Sequence, residues 1–153
     1  MTLRKQFQDE LKLAQHAKDE LKTGTLRLIM AALKDRDIAA RSKENWDGVG
    51  DEEILAMLQT MIKQRQESIK MYTIGNRQDL IEREAAEIKI IENFLPTQLT
   101  EDEIKSAVED IVKSVSASGI KDMGKVMAEL KTRYTGQMDF AKASGIVKER
   151  LAG

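Results

Sequence analysis

Cysteine is absent from this chain of 153 residues. That excludes disulfides, thiolate nucleophiles and cysteine-based zinc sites. Histidine occurs once, at His16, and no serine, asparagine or acid pattern around it makes a triad or a metal site; it reads as a surface residue. Proline occurs once, glycine nine times, and only six residues are aromatic, so breakers and rings are scarce. No apolar run approaches the roughly 20 residues that cross a bilayer. Nor does one sign of charge dominate. Twenty-five Lys and Arg stand against 26 Asp and Glu, for a net charge of −1, which argues against tight charge-driven nucleic-acid binding by the chain as a whole. The opening "MTLRKQFQDELK" is charged from its fourth residue and has no apolar core, so it does not read as a signal peptide. A soluble, cytoplasmic protein without metal, cofactor or membrane partner is expected.

What is present is helix-forming. Leu, Ile, Ala, Met, Glu, Lys and Gln dominate, and apolar residues recur with a period near 3.6. Leu3, Phe7, Leu11 and Ala14 mark a first helix. "TGTLRLIMAALKDRDIAARS" (23–42) marks a second, with Thr25 as its expected N-cap. After the loop "KENWDGVG" (43–50), Asp51, Glu52 and Glu53 open a long third helix whose stripe runs from Ile54 to Tyr72 and ends at Gly75-Asn76. A fourth spans roughly 77–94. Pro96 then interrupts "ENFLPTQLTEDEI", where the pre-proline residue disfavours helix and a boundary belongs. Thr100 with Glu103 forms a capping box for a fifth helix. Asp122 and Asp139 are expected to cap the sixth and seventh. The predicted fold is all-α: an N-terminal four-helix part (1–96) joined near the proline to a C-terminal three-helix unit (97–153). Without disulfides, that second unit is near the size where independent folding becomes marginal.

The search for chemistry returns mostly negatives. "GVG" (48–50) precedes three carboxylates, which would repel a phosphate, so it reads as a turn. No P-loop, dinucleotide fingerprint or nucleophile elbow occurs. Arg27, Lys34 and Arg41 recur every seven residues on one helix face. They could follow a phosphate backbone, but Asp37 and Glu44, three residues after Lys34 and Arg41, favour a paired, solvated face. Met30, Met57, Met61 and Met71 read as gap-fillers between helices, and Trp46 as an anchor of its loop on the core. Gly124, in "IKDMGKVM", costs about 1 kcal/mol against alanine inside a helix. With Asp122 expected to occupy the free amides, close packing explains it better than an anion. Residues 121–150 hold seven basic side chains (Lys121, Lys125, Lys131, Arg133, Lys142, Lys148, Arg150) against four acids, a local charge of +3.

"ENFLPTQLTEDEI", "IKDMGKVMAELK" and the closing "GQMDFAKASGIVKERL" resemble the YqeY family, stand-alone relatives of the tail domain of the tRNA-dependent amidotransferase B subunit. "TLRLIMAALKDRDIA", "DEEILAMLQTMIKQRQESIKMY" and "GNRQDLIEREAAEIKIIENFLP" resemble it too, so the match runs the length of the chain. The resemblance implies an all-helical protein with a three-helix tail unit after Pro96. In the amidotransferase the tail contacts tRNA while glutamine-derived ammonia converts a misacylated aminoacyl-tRNA to its amide. The family's association with carbon–nitrogen ligation, glutamine serving as amido-N-donor, is thereby inherited from the larger enzyme. This chain lacks the catalytic cradle and the amidase. "GQMDFAKAS" also departs from the more basic, glycine-rich stretch usual there. The expectation is a non-catalytic accessory module that binds tRNA or a tRNA-metabolising enzyme through the seven cations of 121–150. A protein-interaction module without RNA contact, and a member of a glutamine-dependent ligase system, are the alternatives.

Overall fold

A computed structural model describes residues 2–153. Among them it contains seven α-helices, two short 3-10 turns and no strand, so the all-α class expected from the periodicity is what the chain adopts. The chain divides into two compact units, the first ending at Leu95 and the second running from Pro96 to Gly153.

The first unit holds α1 (Leu3–His16), α2 (Glu20–Ala40), α3 (Asp51–Ile74) and α4 (Gln78–Glu92). Its core joins Leu3 and Phe7 of α1, Leu26, Ile29 and Leu33 of α2, Ile54 to Met61 of α3, and Ile91 of α4. Phe7 meets Phe94 edge to face with ring centroids 4.9 Å apart. Helices α3 and α4 form an antiparallel hairpin whose distal half has no fully buried apolar side chain. A charge pair holds it instead. Arg65 Nε donates to Glu87 Oε2 at 2.9 Å, and Arg65 Nη1 donates to the Met61 carbonyl. These two side chains are only 12% and 10% exposed.

Local chemistry differs from the sequence expectation at the start of α2 and at the end of α3. Asp19, not Thr25, caps α2, accepting from the Lys22 amide at 3.0 Å. Thr25 lies inside the helix, buried, with its hydroxyl donating to the Leu21 carbonyl. The reason is that α1 ends at once: Lys18 turns left-handed (φ 57°), and the Asp19 carboxylate is then first in line for the free amides. At the end of α3 the left-handed residue is Asn76 (φ 57°), while Gly75 keeps a negative φ. Asparagine tolerates that conformation well enough to end a helix.

The loop between α2 and α3 is tightly held. Arg4 forks onto Asp37 (2.7 and 2.8 Å) and also donates to the Val49 carbonyl, while the Val49 amide donates to Asp37. Gly48 has φ +95°, and a Cβ there would stand 2.7 Å from both Arg4 and Asp37, so only glycine fits the turn. Trp46, expected to anchor this loop, is instead 73% exposed with Arg41 stacked 5.8 Å from its ring. Buried Val49 and the Arg4–Asp37 clamp do the anchoring.

The second unit holds α5 (Glu101–Ser114), α6 (Met123–Arg133) and α7 (Phe140–Ala152), all three in mutual contact. Both hydrogen bonds of the Thr100–Glu103 capping box are present. Ile104, Ala107, Val108, Ile111 and Val112 repeat at helical spacing and bury against Val126, Leu130, Ala143 and Val147. The segment after Pro96 is stitched on by Leu99 N–H to the Gln137 carbonyl (2.8 Å) and Gln98 Nε2 to the Gly136 carbonyl (2.6 Å).

Candidate functional site

The seven cations singled out in the sequence all lie in the second unit. Lys121 sits in the 3-10 turn Ile120–Asp122; Lys125, Lys131 and Arg133 lie on α6; Lys142, Lys148 and Arg150 lie on α7. All are exposed, and they differ in what holds them. Arg133 donates to Glu129 at 3.0 Å and reaches the Ser114 hydroxyl of α5. Arg150 is ion-paired with Glu109, tying α7 to α5, and holds the Glu109 carboxyl below its usual range. Arg150 also lines a groove between those helices with Lys105, Val108, Glu109, Ile146 and Glu149, a mixed-charge lining with no bias towards anions. The ammonium groups of Lys131, Lys142 and Lys148 form no hydrogen bond or ion pair among the described residues.

The start of α6 is built differently from the sequence expectation. Asp122 occupies the N-cap position, yet its side chain makes no capping hydrogen bond. Its carboxylate accepts instead from the Ser118 amide at 2.9 Å and from the Ser118 hydroxyl at 3.3 Å. The Ser118 amide is the main reason that carboxyl stays below its ordinary range, with the charges of Lys125 and Lys121 contributing. The left-handed residue Ser116 (φ 54°) ends α5 and swings the 116–119 loop back towards Asp122. No signal in the sequence separates this from a helix cap, because aspartate serves both.

The packing explanation for Gly124 fails as well. A Cβ at Gly124 would meet nothing within 4 Å. Gly124, Ala128 and Lys131 stand at i, i+4 and i+7, so they share one exposed face of α6, with Lys125 beside it. Helix α7 repeats the arrangement: Gly145 is also open to 4 Å, and Lys142 and Lys148 flank it three residues away on either side. Five of the cations therefore fall into two groups, Lys121, Lys125 and Lys131 near open Gly124 and Lys142 and Lys148 about open Gly145.

His16 is exposed in the last turn of α1. Among the described residues no group of His, Cys, Asp and Glu is arranged to hold a metal ion, and no helix is long and apolar enough to cross a membrane. Met57 and Met61 fill the first core, whereas Met71 is 67% exposed and fills nothing.

The chain is 36% identical over 86 residues to "Altered inheritance of mitochondria protein 41, mitochondrial" of Lachancea thermotolerans, covering 56% of this chain and 44% of that protein. The protein of the same name from Kluyveromyces lactis is 36% identical over 89 residues, 58% of this chain and 45% of its own. The Saccharomyces cerevisiae strain YJM789 protein is 31% identical over 86 residues, 56% and 44% respectively. The matched stretch is under half the length of these relatives. Their names describe mitochondrial proteins, which overturns the expectation of a cytoplasmic location: the charged N-terminus carries no information on that point. The profile of YqeY-like proteins matches residues 4–151, nearly the whole length, and the chain belongs to that family.

Proposed function

We propose that the chain is a non-catalytic accessory module that binds tRNA through its second unit. The observation that carries this reading is the state of the cations there. Of the seven, Arg133 and Arg150 are engaged with Glu129 and Glu109, while the ammonium groups of Lys131, Lys142 and Lys148 have no partner among the described residues and Lys121 and Lys125 lie close enough to Asp122 for their charge to act on it. Exposed lysines around glycines that no neighbouring side chain approaches form a surface on which a phosphate backbone can lie close. Withdrawal of the Asp122 carboxylate towards Ser118 removes the objection that α6 is already capped by an acid. Family membership adds the likeness to an amidotransferase tail that contacts tRNA. Any link to glutamine-dependent amidation runs, on this reading, through a partner enzyme that supplies the chemistry.

The test is anisotropy of labelled unfractionated tRNA at low salt, followed by a salt titration. Binding is expected to weaken with salt, and Lys125→Glu, Lys131→Glu and Lys142→Glu together are expected to abolish it at moderate salt. Each lost phosphate contact should lower the slope of log affinity against log salt by about 0.7–0.9. No shift at low salt, or binding indifferent to the three reversals, rejects the proposal.

A further inference from the structure

Helix α2 has two faces, and the core uses one. Thr25, Leu26, Ile29 and Leu33 are buried. On the other side Leu21, Gly24, Leu28, Ala31, Asp35 and Ile38 follow one another at intervals of three and four residues, the spacing of a coiled-coil seam. All six are exposed, Leu28 at 50% and Ile38 at 48%. The seam is about 26 Å long at 1.5 Å per residue. Its glycine has no internal justification: a Cβ at Gly24 meets nothing within 4 Å, although glycine within a helix costs about 1 kcal/mol against alanine. Gly24 lies instead in a surface depression with Gln15, Lys18, Glu20, Thr23 and Arg27. Small residues at Gly24 and Ala31 alternate with Leu21, Leu28 and Ile38, leaving hollows between apolar knobs into which another helix can set its own side chains.

Beside the seam runs a row of cations, Arg27, Lys34 and Arg41. The acids expected to neutralise it are elsewhere. Asp37 is clamped to Arg4 and the Val49 amide, and Glu44 turns left-handed at the end of the 3-10 turn Arg41–Lys43. Arg27 and Lys34 have no ion-pair partner among the described residues, and Arg41 stacks on exposed Trp46.

We propose that this face of α2 is a docking site for an amphipathic helix of another protein, one that carries carboxylates at seven-residue spacing beside its apolar seam. Charge selects that occupant. A second copy of this chain is disfavoured because its own α2 offers a single acid, Glu20, in the flanking row. Packed antiparallel with Glu20 opposite Arg41, the row would still set Arg27 against Lys34; packed parallel, Arg27 and Lys34 would face Ala32 and Ala39. A nucleic-acid backbone would satisfy the cations but leave Leu21, Leu28 and Ile38 with nothing apolar to cover them. Asp35, the one acid within the seam, fixes the register by requiring a polar or basic residue opposite it. The inference is independent of the tRNA reading, which concerns the other unit.

The probe is a fluorescein-labelled synthetic helix of about three heptads with leucine along its seam and glutamate beside it, and a control with lysine in place of glutamate. Anisotropy with the full chain is expected to show binding of the glutamate helix and not the lysine helix. Leu28→Glu should abolish it, and Arg27→Glu with Lys34→Glu should weaken it about tenfold and gain the lysine helix instead. Circular dichroism should be unchanged throughout, since these side chains are exposed. The double reversal should also leave tRNA anisotropy unchanged, and the three second-unit reversals should leave peptide binding unchanged. Equal affinity for both helices, or no binding at the highest soluble peptide concentration, overturns the proposal. So does a dimer in sedimentation velocity that Leu28→Glu dissociates, or loss of tRNA rather than peptide in the Arg27/Lys34 variant.

Discussion

The two units use charge in opposite ways. In the first, charged side chains join elements: Arg4 ties α1 to α2 and the following loop, Lys22 reaches Glu10 across α1 and α2, and Arg65 pins α3 to Glu87 of α4. In the second, the interior is aliphatic from Ile104 to Val147, and Arg150–Glu109 is the one interhelical ion pair recorded among the described residues. The difference follows from geometry. The first unit includes a long hairpin whose distal half its apolar core does not reach and a loop that enters that core only through Val49, so hydrogen-bonded charge does much of the fastening. The compact three-helix unit encloses its core directly, and its lysines remain at the surface.

Truncating the cores breaks this comparison most severely. Leu130→Ala in the second unit and Leu58→Ala in the first remove fully buried side chains, each at a cost of about 2–5 kcal/mol. Against the few kcal/mol that so small a helical unit has in hand, Leu130→Ala is expected to melt α5–α7. Hydrogen exchange should show protection lost over 101–152 and kept in α1–α4.

Removing one partner of the hairpin's charge pair comes next. Glu87→Gln leaves the Arg65 guanidinium in a nearly dry setting with only the more distant Glu84 carboxylate, 4.0 Å away, as counter-charge, at up to about 3 kcal/mol. The double replacement Arg65→Met with Glu87→Leu should recover part of that loss, because the two driest charges go together and the partners they leave, Glu84 and Arg83, are closer to water. Thermal midpoints of the single and double variants decide the matter. If the single change is silent, the hairpin does not depend on its charge pair.

A smaller effect appears with pH. The Asp37 carboxyl is held below its usual range first by the Arg4 hydrogen bonds, then by the Val49 amide and the nearby positive charges. A depressed folded value means that its stabilisation is complete above the unfolded value, about 4, and is lost as pH falls through the lower folded value. The urea midpoint is therefore expected to decline below about pH 4, and Asp37→Asn should flatten the decline. A residual slope should persist, because Asp79, Glu109 and Asp122 are shifted in the same direction.

Much of this was legible in the sequence, and the failures share a cause. Helix positions followed from apolar period, and the Thr100–Glu103 box was readable because both of its partners lie within one turn of each other. Asp37, Asp122 and Trp46 were misread because a competing group that the local rule did not weigh took each one's expected place. Arg4, 33 positions away, outcompetes Lys34 for Asp37; the returning 116–119 loop outcompetes α6 for Asp122; Val49 takes the buried place expected for Trp46. At the candidate surfaces, composition gave the residues but not their freedom. Whether a lysine is paired or a glycine is crowded depends on contacts that sequence spacing does not encode.

Gly124→Ala should have the smallest effect and discriminates most finely between the roles of the two units. A Cβ there meets nothing within 4 Å, so the substitution should stabilise α6 by about 0.5–1 kcal/mol through helix propensity alone. Gly24→Ala in α2 should do likewise, since its surroundings are equally open. Their effects on binding should then part. The added methyl at Gly124 should weaken tRNA while leaving the glutamate helix untouched, and the methyl at Gly24 should do the reverse. If both alanines stabilise and neither alters binding, the open glycines mark no surface of approach, and the lysines and the α2 seam must stand without them.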